Sequence, residues 1–486
     1  MIPATPLSVL RQGASTMSLF NESLIWNPEL LRRYDLSGPR YTSYPTAPQF
    51  SESFSRDDLL SAIERSNAGQ APLSLYFHIP FCDTLCFYCG CNKIVTHQKS
   101  RAQPYLECMD REMAMIAAHV DTARKVTQLH WGGGTPTYLS EAEMSWLMQA
   151  TGRHFQLVRD DSAEYSIEIH PGRVPVSTMR HLRGLGFNRV SMGVQDFDER
   201  VQRAVNRFNS VEEVGALVDE LRRLQFHSIS MDLIYGLPLQ TVSSIEETLN
   251  KVIDLSPDRL SLFNYAHMPH LFKSQSLINE SELPLPAEKL EMLHRAIEML
   301  ERAGYVYIGM DHFAKPDDSL VLAQQAGKLQ RNFQGYSTHG ECDLFSFGVS
   351  AISAYGDVYV QNVKRTERYQ ELIDSKILPL ARGFHLSRED RLRQFVINQL
   401  ICHFHLDFSL VEQRFDIDFN DHFASELAQL APMQEDALLS VSETAIQVNN
   451  TGRLLIRRIC MVFDAYLSSN RNAPSKDERI RFSRII

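Results

Sequence analysis

The sequence predicts an α/β chain: a partial parallel (β/α) barrel, preceded by an N-terminal arm and followed by a small, mostly helical C-terminal domain. Three observations carry that expectation. Short apolar runs alternate with helical segments between about residues 72 and 270, helical segments open on capping boxes, and each apolar run ends in a polar or reactive group. The runs are LSLYFHI (73–79), VTQLHW (126–131), YSIEIH (165–170), RVSMGV (189–194), SISMDLIY (228–235) and RLSLFNY (259–265). Strands separated by helices of this length need crossovers, which are right-handed and produce a parallel sheet. Helix starts are expected at Ser140 with Glu143, Ser210 with Glu213, and Ser244 with Glu247. At the run ends stand a cysteine loop, GGGT (132–135), Glu168 with His170, Gln195, Asp232 and the stretch Asn264–His267. Parallel α/β folds build their sites at C-terminal strand ends. Six polar ends on one rim favour a barrel; a flat doubly wound sheet is the alternative.

Beyond residue 270 the alternation loosens. PLPAEKLEMLHRAIEMLERAGY (284–305) reads as a long helix closed by Gly304, followed by an apolar strand, YVYIGM (305–310). FSFGVSAISAYG (345–356) suits a buried loop or strand near the rim. From about 383 the composition turns helical, with RLRQFVINQLICHFHL (391–406) and GRLLIRRICMVFDAYL (452–467). A hairpin-like LLSVSETAIQVNNTGR (438–453) precedes the last of these, which leaves a winged-helix-like arrangement open. Cys402, His403 and His405 look like a metal cluster but have no further ligand at useful spacing, so they read as the polar face and edges of a packed helix. The expected division is an N-terminal extension and arm over 1–56, a catalytic domain over 57–382, and the C-terminal domain over 383–486.

Composition narrows the function. A chain of 486 residues can bury one large core and a smaller one, and a net charge of −10 argues against general nucleic-acid binding. No run approaches the roughly 18 apolar residues of a membrane span, and the first residues lack the pattern of a secretory signal. Four of eight cysteines are scattered singly, with no disulfide-like framework, so a reducing cytoplasm is the expected setting.

The other four, Cys82, Cys86, Cys89 and Cys91, are spaced C-x3-C-x2-C-x-C. Structural zinc sites present two short ligand pairs separated by a longer excursion, and many ferredoxins supply four thiolates per cluster. Three thiolates on one short loop leave one iron of a four-iron cluster open to an exogenous ligand. A zinc knot is the competing reading, and the absence of a second metal-binding pair nearby weighs against it. The spacing resembles the radical S-adenosylmethionine superfamily, in which the amino and carboxylate groups of that cofactor take the open iron. GGGTPTYL follows a strand downstream, and its glycines let the backbone approach a ligand closely. Glu168 and Asp232 can pair with the amino group and ribose hydroxyls of a nucleoside, and Arg207 with a carboxylate.

The resemblance narrows to one family. SGPRYTSYPTA (37–47), LYFHIPFC with CGCNK (75–93), LHWGGGTPTYL (129–139) and GFNRVSMGVQDF (186–197) are similar to the oxygen-independent coproporphyrinogen III dehydrogenases. DLIYGLP, FNYAHMP, GMDHFA, RNFQGY, GVSAIS and GRLLIRRICM extend the match from about residue 26 into the C-terminal domain. That resemblance implies oxidative decarboxylation of two propionate side chains of coproporphyrinogen III to vinyls, giving protoporphyrinogen IX for haem synthesis through a 5′-deoxyadenosyl radical. It implies a [4Fe–4S] cluster on Cys82, Cys86 and Cys89, and S-adenosylmethionine, two molecules per site. Tyr76, Tyr88, Gly133, Gly134, Thr135, Glu168, Gln195, Arg207, Asp232, Ala266 and Ile352 match positions around cofactor. Phe333 and Gln334 match a pair associated with activity, and Cys91 is expected beside the cluster without ligating it. A low-potential electron donor is implied, and a monomer is expected.

Two departures stand out. IEIHPGRV carries His170 where the family pattern more often has aspartate, and Phe87-Tyr88 stands where phenylalanine is often second. On a strand, Glu168 and His170 face the same way, so a cationic His170 is expected to compete with the cofactor for Glu168 at acidic pH, unless the Pro171 turn carries it away. Residues 1–16 are expected to be dispensable, with Met17 a candidate start. The segment to residue 47 is expected over the site mouth, with Arg40 toward a substrate carboxylate. A haem-binding chaperone on the same fold is the competing function; such relatives usually lack the fourth cysteine, which CGC (89–91) retains.

Overall fold

The computed structural model describes residues 23–467. Its main sheet contains the six expected strands, β1 (Leu73–Ile79), β2 (Lys125–Gly133), β3 (Glu164–Ile169), β4 (Arg189–Gln195), β5 (Ser228–Tyr235) and β6 (Arg259–Asn264), all parallel and in sequential order. The sheet is not a closed barrel. Beyond β6 it continues antiparallel through β8 (His312–Ala314) to β7 (Val306–Gly309). Between β8 and the far flank, β9 (Gln330–Asn332) and β10 (Gly335–Ser337) form a separate hairpin. On the far flank β11 (Asp343–Phe347) adds parallel to β1, and β12 (Ile352–Tyr355), β13 (Val358–Asn362) and β14 (Leu380–His385) follow antiparallel.

Alternation along the strands sorts the side chains. Val126, Leu129, Ile167, Met192, Met231 and Leu262 are buried in the main apolar core. The opposite face is polar and encloses a cavity of about 250 Å³. Ser166, Ser191, Ser230 and Ser261 contribute hydroxyls midway along this lumen, and the β9–β10 hairpin closes it with Gln334 and Tyr336. Small hydroxyl side chains leave the hollow that larger apolar ones would fill.

Helices Glu141–His154 and Val211–Arg223 start at Ser140 and Ser210 with reciprocal bonds to Glu143 and Glu213, as expected. The third start is corrected. Helix Val242–Leu255 is capped by Thr241, whose hydroxyl accepts the Ser244 N–H while Ser244 answers the Thr241 N–H, so Ser244 and Glu247 lie inside the helix. Thr241 offers the same hydroxyl three residues earlier, in extended backbone. The long helix runs Pro286–Arg302, with Gly304 at φ +85° beyond it.

The C-terminal segment packs helix Arg388–His403 against a three-stranded antiparallel sheet of β15 (His405–Asp407), β16 (Leu439–Val441) and β17 (Ala445–Val448), with β17 central. Cys402 and His403 are buried at the helix end, and His405 lies beyond it, paired to Gln447 across strands. The last apolar run is helical as expected, though in three short consecutive segments: a 3-10 turn over Arg453–Leu455, an α-helix over Ile456–Cys460 and a 3-10 turn over Met461–Phe463. Its side chains are buried all round, and Arg457 turns inward to donate to the carbonyls of Gly38 and Pro39. A junction at 382/383 falls inside β14, which also bridges to Ser51 of the arm; the following helix is capped by Ser387.

Along the arm, Tyr34 donates to Asp436, Tyr41 donates to Asp464, and the Tyr44 hydroxyl accepts the Ala465 N–H. Arg40 pairs with Asp311 and lies over the Phe263 ring beside the lumen, so its charge is already met within the chain. Residues 1–16 and Met17 lie outside the described residues.

The β11–β12 connection is held by Glu112, a fully buried carboxyl that accepts from the Gly348 N–H, Asn362 Nδ2 and the Tyr369 hydroxyl. Burial pushes it up to about 7 against the pull of those bonds. The folded state therefore holds a proton that the unfolded chain releases near pH 4.5. Stability is expected to fall as pH rises from about 4.5 to 7, by up to about 3 kcal/mol from this group, then level off. Denaturant titrations across that window check it. Replacement by alanine, which cannot titrate, removes this contribution to the slope; an unchanged pH slope in that variant refutes the assignment.

Candidate active site

The cysteine loop leaves the C-terminal end of β1 and is held down by the glycine run at the end of β2. Gly134 N–H donates to Ile79 O at 2.8 Å and Thr135 N–H to Phe81 O at 2.8 Å. A Cβ on Gly134 would come within 2.7 Å of the Pro80 backbone, so this approach needs glycine. Cys82 and Cys86 are buried, Cys89 half-buried and Cys91 exposed. Each of the first three sulfurs has a donor: Thr135 Oγ1 on Cys82 at 3.5 Å, Arg207 Nη1 on Cys86 at 3.7 Å, and the Cys91 N–H on Cys89 at 3.5 Å. The Cys91 thiol, despite burial, and the Lys93 ammonium hold Cys89 well below the usual thiol range, while burial pushes Cys82 up to about 11. Three soft sulfurs on one loop, each with a hydrogen-bond donor and with cations alongside, fit an iron–sulfur cluster with one open iron.

Facing the loop across the rim is Glu168. Its Oε2 accepts the Gly133 N–H at 3.1 Å and its Oε1 lies 3.3 Å from His130 Nε2. Burial works to raise its pKa, but His130, the Gly133 N–H and His78 outweigh that and keep it below the ordinary carboxylate range. Tyr76 stacks on His130 with centroids 5.8 Å apart, and its hydroxyl meets His78 Nδ1 at 3.1 Å. His78 reaches on to Asn92 O at 2.8 Å, at the far end of the cysteine loop. Burial, with Glu168 nearby, raises Asp232 to about 6, and Ser191 donates to it at 3.0 Å. Two carboxyl groups in one enclosed lumen suit a cationic guest. Arg207 donates to Gly193 O and closes this side with Gln195, which takes a φ of +70°.

The lumen brings Glu168, Asp232 and Gln334 together. Gln334 Nε2 is buried without a partner, aimed from the hairpin turn. Tyr88 packs beside Val205 and Tyr265, its carbonyl taking the Gln275 amide at 2.9 Å. Ala266 lies two residues past β6 on the same rim. Phe333 and Ile352 do not join this group. They pack with Phe50 and Tyr359 in a separate apolar cluster, and Phe333 lines a different cavity of about 710 Å³. His170 is buried at the turn after β3, and burial, reinforced by Arg207 and Arg173, lowers it to about 2. It stays neutral through the working range, so it does not compete for Glu168 on acidification, and the expected acid sensitivity is withdrawn. His130, His78 and Lys93 were missed. Strand alternation carries the signal for His130, since it faces inward two residues from Gln128 on β2.

A single-loop trithiol at the mouth of a polar, carboxylate-bearing lumen defines a radical SAM protein. Residues 76–252 match the radical SAM superfamily and residues 386–455 the HemN C-terminal domain. The chain is 51% identical to the oxygen-independent coproporphyrinogen III oxidase of Pseudomonas aeruginosa, over 96% of this chain and 100% of that protein. It is 49% identical to that of Escherichia coli, over 96% and 99%. A solved Escherichia coli structure described as coproporphyrinogen III oxidase (HemN), a radical SAM enzyme, superposes with a TM-score of 0.87 at 48% identity, covering 92% of this chain and all of that one. The chain belongs to the oxygen-independent coproporphyrinogen III oxidase family, whose members carry a [4Fe–4S] cluster and S-adenosylmethionine. Among the described residues no helix is long and apolar enough to cross a membrane.

Proposed function

We propose that the chain converts coproporphyrinogen III to protoporphyrinogen IX without oxygen, removing two propionate carboxyls as carbon dioxide and leaving vinyls. The observation that carries this reading is full-length identity to coproporphyrinogen III oxidases together with a trithiol loop opening onto a polar lumen. Bound, the cluster and S-adenosylmethionine supply the hydrogen-abstracting radical. Cys82, Cys86 and Cys89 hold the cluster. Glu168, kept ionised by His130 and the Gly133 N–H, takes the cofactor's cationic amino group, and Gly134 and Thr135 shape the backbone around it. Gln195, Arg207 and Asp232 line the next stretch of rim, with Tyr76 and Tyr88 shielding the centre from water. A second adenosylmethionine is proposed for the same region with Ala266 as a further contact, while Ile352 lies outside it in the apolar cluster with Phe50 and Tyr359. Gln334, at the hairpin turn with Phe333, turns its unpartnered amide toward the substrate. The domain reading is an arm, a catalytic unit through β14 and a C-terminal domain from about 386, acting as a monomer with a low-potential reductant.

Anaerobically reconstituted protein given coproporphyrinogen III, adenosylmethionine and dithionite is expected to release carbon dioxide and form protoporphyrinogen IX. Cleavage of adenosylmethionine with no vinyl product overturns the reading.

A further inference from the structure

The loop between β10 and β11 brings three different metal-binding side chains together within four residues, at the end of the lumen opposite the cysteine loop. Donor atoms of His339, Glu341 and Cys342 all lie within 4.8 Å of one another. His339 Nδ1 is 3.5 Å from Glu341 Oε1, and Cys342 Sγ is 3.9 Å from the same oxygen. Bonds of about 2.0–2.3 Å from zinc to nitrogen, oxygen and sulfur make tetrahedral edges of roughly 3.3–3.8 Å, close to both separations. The Cys342 N–H donates to His339 O at 3.3 Å, a turn that keeps these two ligands on one side.

The histidine is set up as a ligand. Its Nδ1 is sealed from solvent and has no hydrogen-bond partner. Its Nε2 faces Glu164 Oε1 at 3.6 Å. A carboxylate behind the second ring nitrogen fixes the ring and tautomer of metal-ligating histidines. Glu164 is itself anchored by Arg189 at 2.9 Å and by Thr338 Oγ1 at 2.9 Å. All three residues line the cavity of about 710 Å³, which provides an entry path.

We propose that His339, Glu341 and Cys342 form a zinc site separate from the iron–sulfur loop, with water as fourth ligand. One thiolate, one imidazole and one carboxylate suit Zn²⁺ better than hard cations that prefer oxygen alone. The ion clips the loop that shuts the lower mouth of the lumen, where the His339 N–H already donates to Ser337 Oγ at 3.1 Å and Gln128 Nε2 to the same hydroxyl at 3.2 Å.

The test uses the full chain with its cluster reconstituted, incubated with one equivalent of Zn²⁺ and freed of loose metal by gel filtration. Wild type is expected to retain about one zinc per chain, with zinc X-ray absorption showing a single sulfur at about 2.3 Å. Cys342→Ser and His339→Gln are expected to retain roughly tenfold less zinc at unchanged iron content. No zinc on the wild type, or equal retention by wild type and both variants, overturns the proposal. So does a shell of three sulfurs, which places the zinc on Cys82, Cys86 and Cys89. Should a variant fail to fold, the wild-type spectrum still decides, since one sulfur and three are distinguishable.

Discussion

Cys86→Ser is expected to lose both its cluster iron and all measurable turnover, whereas Cys91→Ser keeps about four irons per chain and turns over roughly 10²-fold more slowly. The contrast follows from how the two sulfurs are placed. Cys86 is buried with the Arg207 guanidinium on its sulfur, so its loss removes a proposed ligand and one of the two acceptors of a buried guanidinium, leaving Gly193 O. Cys91 is exposed, and both its backbone N–H and its thiol reach Cys89 Sγ; serine keeps the first contact and offers a hydroxyl for the second. The hydrogen bond to Cys89, then burial, then the Cys89 and Glu168 charges raise the Cys91 thiol above its usual range, so it remains a neutral S–H donor at the mouth of the site. Anaerobic iron analysis beside turnover reads both effects. Equal iron loss in the two variants would make Cys91 a ligand and remove the open iron.

Glu168→Gln is expected to weaken adenosylmethionine binding by about 10- to 10²-fold, the worth of a charge-assisted hydrogen bond of roughly 1.5–3 kcal/mol. The amide keeps the shape and can still accept from Gly133, but it removes the negative charge that the enclosed lumen otherwise holds at all working pH values. Asp232→Asn should cost less, because that carboxyl titrates near 6 and is only partly charged in acid. Equilibrium dialysis of labelled adenosylmethionine against protein of matched iron content measures both. An affinity for Glu168→Gln equal to wild type would mean that the cofactor's ammonium lies elsewhere.

The catalytic half of the fold was legible because its strands are long and end in chemistry. Seven or eight residues of nearly continuous burial, as in Leu73–Ile79 and Ser228–Tyr235, leave an apolar run that local reading recovers. The flanks were not legible in this way. Strands of three to five residues such as Ile352–Tyr355 carry too little pattern to show that they pair antiparallel beyond β11. The run Arg453–Phe463 is helical as its sequence suggests, but its division into short segments is set by what surrounds it, including the carbonyls that Arg457 reaches 418 residues away in sequence. Motif matching placed Glu168 but not His130, the ring that orients it, since that role exists only once β2 and β3 lie side by side. The same dependence explains Gln334 and Phe333, neighbours in sequence that point into different cavities across one hairpin turn.

The stitching of the arm to the opposite end of the chain has a consequence for biosynthesis. Tyr41 finds Asp464 across 423 residues, Tyr44 finds Ala465 across 421, and the Tyr34 hydroxyl finds Asp436 across 402. None of these partners exists while the ribosome is making the parallel strands, so these three contacts of the arm form last. At about 5–20 residues per second, those 400-odd residues leave the three tyrosines without these partners for roughly 20–80 s. Over that interval Tyr34, Tyr41 and Tyr44, all buried at the end, are open to chaperones and proteases. A chain stopped short of residue 464 would lack the partners of the Tyr41 and Tyr44 hydroxyls, so two of the arm's three tyrosine contacts register whether the far end of the chain has been made.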